Sequence, residues 1–156
     1  MRRNDREIIN INEIKDILNN SNILHLALFD DIYPYIVALH YGYEFINDKL
    51  IIYMHCALQG HKLDLIKKNN KVCIEIENNI NTVEGDIACK YGSTYCSVVS
   101  RGTISILDDE LDKIHGLEVL MKHQTGKDFK FNNEMVNCVN VLKFESTNYT
   151  CKARRK

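Results

Sequence analysis

Two β-prone runs, NILHLALF (22–29) and YPYIVALHYGYEF (33–45), are separated by little more than Asp30-Asp31. Branched and aromatic residues favour a pleated strand, and so short a link brings the second run back antiparallel to the first. Pro34 cannot donate to a ladder, so it belongs at the start of the second strand of this hairpin. The later β-prone segments keep the habit of short links. Asn47-Asp48 turns the chain into a third strand over Leu50–Tyr53, and Asn69-Asn70 leads into KVCIEIENNI (71–80). There Val72, Ile74 and Ile76 alternate with Cys73, Glu75 and Glu77, which gives one dry face and one wet face. TYCSVVSRGTISIL (94–107) makes a fifth strand, and Gly102 in its middle marks a bulge or a close approach by a ligand or another backbone. MVNCVNVLKFES (135–146) makes a sixth.

Helical signals are fewer. Asn10 or Asn12 caps a short amphipathic helix carrying Ile11, Ile14, Ile17 and Leu18, and Lys62–Lys68 places Leu63 and Ile66 on one face. Asp108-Asp109 caps a long helix with Leu111, Ile114, Leu117, Leu120 and Met121 on one side and Gly126 as its stop. Residues 81–93 read as a loop. About six sequential strands with three helices predict a mainly β fold, an antiparallel β-barrel with flanking helices, rather than a doubly wound parallel sheet.

At 156 residues the chain suits one domain spanning 1–156, with 1–9 and 150–156 as loose ends. Twenty basic against twenty-one acidic side chains leave a formal charge of -1, which gives no field for nucleic acid. The basic clusters at Arg2, Arg3 and Arg6 and at Lys152, Arg154, Arg155 and Lys156 fit solvated termini. Six scattered cysteines with no CxxC pair and no secretory segment predict reduced thiols in the cytoplasm. No apolar run is long enough to cross a bilayer.

The chemistry concentrates in KLIIYMHCALQGHKLDLIKKN (49–69), read as strand, tight turn and helix. The first N–H groups of a helix lack internal partners and lie at the positive end of its dipole, so an anion can dock there. Gly60, His61 and Lys62 fall at that point, with Lys62 adding a full charge. A phosphate site is the functional reading; a glycine turn followed by a solvated lysine is the plain one.

Three segments together resemble the flavin-binding split-barrel proteins related to pyridoxamine-phosphate oxidase, and among them the nitroimidazole-resistance (Nim-like) branch. They are MRRNDREI at the start, PYIVALHYGYE (34–44) and YMHCALQGHK (53–62), supported by YCSVVSRG (95–102). The HxAxxGxK pattern of His55, Ala57, Gly60 and Lys62 is the most specific part. The resemblance implies FMN held at the interface of a homodimer. It matches Gly60, His61 and Lys62 to the phosphate corner, Val37, Ala38 and Leu39 to the strand whose backbone lies against the ring, and Ser97 to a polar flavin contact. Cys56 and Ala57 fall within the same cofactor segment, and His55 matches a histidine near ring and substrate, which makes it the candidate catalytic residue. The residue before the lysine is commonly Arg in the family and is His61 here, so a bidentate fork is replaced by an imidazole. Cys96 likewise stands where Arg is frequent.

Spacing also bears on the remaining histidines, cysteines and tyrosines. His115 and His123 are eight apart on a helix, about 12 Å along its axis, too far for one ion. His55 and Cys56 point to opposite faces of a strand, which disfavours a shared metal or a thiol–base pair. His25 and His40 are expected to be partly buried strand residues, and no metal site is expected. Tyr33, Tyr35, Tyr41 and Tyr43 form a period-two row that either stacks a ligand or forms a barrel or dimer surface. The expected function is FMN-dependent reduction of a small oxidised substrate, for which a nitro-aromatic compound is one candidate. The alternative is a non-catalytic flavin- or haem-binding module.

Overall fold

Alternation along the strands closes the sheet on itself. In the computed structural model, which describes residues 3–155, the strands are β1 (Glu7–Ile8), β2 (Ile23–Asp30), β3 (Tyr33–Ile46), β4 (Lys49–Cys56), β5 (Lys71–Val83), β6 (Gly92–Ile106) and β7 (Asn140–Arg154). Hydrogen bonding runs β7-β4-β3-β2-β5-β6 and returns from β6 to β7, a closed antiparallel ring of six strands with β1 added outside β7. Leu24, Leu26 and Leu28 on β2, Ile74 and Ile76 on β5, and Leu142 and Phe144 on β7 point inward and are almost fully buried. Each such side chain contributes roughly 1.5 to 3 kcal/mol by leaving water.

Helices close and brace the barrel. These are α1 (Ile11–Asn19), α2 (His61–Lys68), α3 (Glu110–Thr125) and the short α4 (Asn133–Val136). Asn10 caps α1 by accepting from the Asn12 N–H, and Asp109 caps α3 by accepting from Leu111 and Asp112. Gly126 ends α3 in the left-handed region at φ 71°. Ile14, Ile17 and Leu18 of α1 and Leu63, Leu65 and Ile66 of α2 join the barrel core. The Tyr41 hydroxyl, buried with its ring, donates to the Leu18 carbonyl at 2.8 Å. α3 lies outside the barrel on β3 and β4, where Leu117 joins Val136 and Val141 in a second, smaller core.

The structure differs from the sequence reading in three places. Only the two ends of 81–93 extend a β5–β6 ribbon, while 84–91 form the connecting loop, with a short helical turn at Ala88–Lys90: Asn79, at φ 54°, absorbs a register shift, and pairing resumes from Asn81 with Thr94 to Val83 with Gly92. Its polar residues lack a buried face, so the ribbon carries no hydrophobic period. The sixth strand begins later than 135, because Asn132 caps α4 by accepting from the Met135 N–H and Val136 is drawn into the smaller core. The ends are paired rather than loose: Glu7 and Ile8 lie opposite Lys152 and Cys151, and Cys151 and Ala153 are buried. Arg2 and Lys156 of the terminal basic clusters lie outside the described residues.

Gly102 meets both halves of its expectation. The β6–β7 register shifts between Arg101 and Thr103, and a Cβ at Gly102 would lie 2.2 Å from the Glu145 carbonyl oxygen. Gly102→Ala must therefore push two strands apart, and urea unfolding should show a loss of at least about 2 kcal/mol. Unchanged stability would contradict this packing.

Candidate functional site

The β3–β4 ladder runs only from Ile46–Lys49 to Tyr41–Met54. Beyond it β4 continues against β7 through His55 and Cys56, while β3 over 33–40 pairs with β2 alone. The barrel wall is thus split along this seam, and the alternate N–H and C=O groups of β3 that face β4 have no strand partner. The hairpin around Asn47-Asp48 hints at this from sequence, since β3 has fourteen residues and β4 eight. That the ladder opens already at His40 is not written in either strand.

At the mouth of the seam β4 becomes α2. Asn140 of β7 donates its side-chain amide to the carbonyls of Ala57 and Leu58, at 3.3 and 3.1 Å, and so pins the connecting segment. Gly60 then takes φ 151° and ψ 154°, a conformation held almost only by glycine, with open space where a Cβ would be. No side chain caps α2 at Gly60; the Leu63 N–H bonds the Gly60 carbonyl at 2.9 Å, and the N–H groups of His61 and Lys62 are left for another partner. Lys62 makes no ion pair or hydrogen bond among the described residues, though its charge is felt at Cys56. His61 points away: its Nε2 lies 2.8 Å from Asp30 Oδ2, and its ring sits edge-on to Tyr35.

His55 is exposed on the outer face of β4, while Cys56 turns into the core, where burial raises its thiol pKa against the opposing pull of Lys62. The two side chains therefore part, as alternation requires. Val37 and Leu39 pack against the core and Ala38 faces outward, so only their backbone borders the seam. Ser97 does not join this group. It lies on β6, three strands round the wall from β3 by way of β2 and β5, about 14 Å away. The tyrosine row divides: Tyr41 and Tyr43 lie on the core side, hydrogen-bonded to Leu18 and Asn19 on α1, while Tyr33 is exposed.

Two clefts open elsewhere. One of about 1130 Å³ lies between the β2–β3 turn, the end of α2 and the β6–β7 bulge, and one of about 790 Å³ runs along the other side of α2. Neither is lined by Gly60, His61 or Lys62. In one chain the seam is bordered by the β3 edge, unpaired over 33–40 on the β4 side. His115 pairs with Glu44 at 3.0 Å, and His123 donates from Nε2 to the Ser21 carbonyl at 2.9 Å, with its pKa lowered by burial. Neither histidine borders the corner.

A closed six-stranded barrel opened along one seam, with a glycine corner and a helix start at its mouth, defines a split-barrel protein. Residues 10–153 match the family model for pyridoxamine 5'-phosphate oxidase, and the chain belongs to that family. A structure from Bacteroides thetaiotaomicron, provisionally named a 5-nitroimidazole antibiotic resistance protein, superposes with a TM-score of 0.80 at 28% identity, covering 94% of this chain and 86% of that one. The flavocytochrome Anf3 of Azotobacter vinelandii gives 0.79 at 15% identity, over 100% and 72% of the two chains. The FAD- and haem-binding protein of Mycobacterium smegmatis gives 0.79 at 14%, over 97% and 74%. The last two share the fold alone. A comparison with curated proteins found no match. Among the described residues no helix is long and apolar enough to cross a membrane.

Gly60→Ala isolates the backbone, because nothing stands where the new methyl group would go. It should cost on the order of 1 to 3 kcal/mol in chemical denaturation; a neutral result would show that the corner relaxes without glycine.

Proposed function

We propose that the chain binds FMN along the split seam, as a homodimer, and passes electrons or hydride to a small oxidised substrate. The observation that carries this is the β3 edge over 33–40, unpaired on the β4 side and ending beside the Gly60–Lys62 corner. A ligand covering that edge must supply hydrogen-bond partners, since a buried backbone group left unpaired costs about 1 to 3 kcal/mol. The flavin ring offers both acceptors and a donor along one edge, whereas a porphyrin edge is apolar apart from its propionates. That difference favours flavin over haem. A dianionic phosphate likewise suits an uncapped helix start with an unengaged ammonium group.

Bound there, FMN would supply the redox chemistry, and the chain's part is to bind, orient and exclude water. Lys62 and the first amides of α2 hold the phosphate, and the Val37–Leu39 backbone fixes the ring. His55 is the residue placed to orient a substrate or donate a proton beside the seam. Ala57 contributes by holding its turn on Asn140. Cys56 faces the core, so its contribution is limited to backbone, and His61 supports the corner through Asp30 rather than gripping phosphate. The unpaired β3 edge is the reason for a homodimer: one chain leaves it open on the β4 side, and exposed Ile36 on the same strand, 61% accessible, is apolar surface that another copy would cover. The Bacteroides relative supports a nitro-aromatic compound as the substrate class. Six free cysteines support a reducing, cytoplasmic setting.

The purified protein should be yellow or take up added FMN, with bands bleached by dithionite. Lys62→Ala should raise the FMN dissociation constant about 10- to 150-fold, the equivalent of about 1.5 to 3 kcal/mol for a hydrogen bond to a charged group. A colourless protein that takes up no FMN, a Soret band instead of flavin bands, or an unchanged constant in Lys62→Ala would overturn the reading.

A further inference from the structure

On the outer face of the barrel, His25 of β2 stands directly opposite Glu75 of β5, and Glu77 follows on the same face of β5. His25 Nδ1 is 3.3 Å from Glu75 Oε2, a long contact for such a bond, and one ligand atom from each of the three residues can be chosen so that all lie within 4.8 Å of one another. Only the β2–β5 register brings them together, so no motif in the sequence announces the group. We propose that His25, Glu75 and Glu77, backed by Ser97, bind one divalent first-row transition-metal ion, with Zn²⁺ as the test ion.

Three observations support this. First, two like charges, the Glu75 and Glu77 carboxylates, share one strand face two residues apart and repel each other. Lys152 also acts on Glu75, but its ammonium sits 5.4 Å from the Tyr95 ring centroid, over a different partner. A dication would relieve the repulsion, and the imidazole selects against Mg²⁺ and Ca²⁺, which prefer oxygen. Second, Ser97 lies opposite Glu77 on the adjacent strand, on the face away from core residues Cys96 and Val98. It is only 7% exposed, yet its hydroxyl has no hydrogen-bond partner. A buried orphan hydroxyl beside two carboxylates and a histidine fits a group that bonds a metal ligand or a metal-bound water. Third, β2 meets β5 only over His25–Ala27 against Glu75–Cys73, the shortest ladder in the ring. An ion held by His25 on one strand and by Glu75 and Glu77 on the other would staple that junction.

The site does not depend on the flavin reading, and its test uses the metal alone. The full chain, stripped with chelator and free of flavin, is titrated calorimetrically with Zn²⁺, with Mg²⁺ as a control. One equivalent of Zn²⁺ should bind, and thermal unfolding should shift up by about 5 to 10 °C at a hundredfold excess over the dissociation constant. His25→Ala, Glu75→Gln and Glu77→Gln should each weaken binding more than tenfold, Ser97→Ala by about tenfold, and His115→Ala not at all. These changes lie on the outer side of the sheet, and circular dichroism is to be recorded on each variant to check that it is folded. No Zn²⁺ binding, or binding that survives His25→Ala and Glu75→Gln together, would overturn the proposal. Loss of flavin uptake with Zn²⁺ binding intact would count against the seam and leave this site standing.

Discussion

The structure depends on where backbone hydrogen bonds stop. A barrel gains its stability from closure, which leaves no strand with a free edge, and this one closes through β6 and β7 while releasing β3 from β4 beyond Tyr41. The opening is not a weak point in the packing. On the core side of β3, Val37 and Leu39 remain docked and Tyr41 is fully buried. Only the backbone of β3 is left unsatisfied by protein on that side, and water can serve it until something else covers it.

The elements around the seam keep it open. β4 ends at Cys56, two residues past its last pairing with β3, and stays held to β7 through His55–Val141 and Cys56–Asn140, while Asn140 also holds the carbonyls of Ala57 and Leu58. The chain then turns sharply at Gly60 and buries Leu63, Leu65 and Ile66 of α2 in the barrel core. On the other flank α3 presses against β3, where Gly42 permits the approach: a Cβ there would lie 2.5 Å from the Leu120 Cα. Gln124 from the same helix donates to the Tyr41 carbonyl at 2.7 Å, just where the ladder ends. An ammonium, uncapped amides and an open strand edge are thus gathered by hydrophobic packing that lies elsewhere.

Much of this was legible in the sequence. Short links forced antiparallel neighbours, the alternation of Val72, Ile74 and Ile76 gave the dry face, and Asn10, Asp109 and Gly126 marked helix ends where they are found. The HxAxxGxK pattern located the corner. What the sequence could not show is register. The resemblance matches Ser97 to the flavin site, and only the strand order shows that within one chain β2 and β5 lie between its strand and β3. His25 and Glu75 are fifty residues apart and unrelated by any motif, yet they become neighbours across the sheet. The polar ribbon of β5 and β6 carries no period to read, and the C-terminal strand hides its buried Cys151 and Ala153 among charged residues.

The central claim is that the one-sided strand edge is the ligand-binding surface. Amide hydrogen exchange along residues 33–40, compared with and without FMN, tests it most directly. The account predicts that the seam-facing amides of β3 and the first amides of α2 slow together when FMN is added. Protection confined to other strands, or none at these positions while flavin is bound, would contradict it.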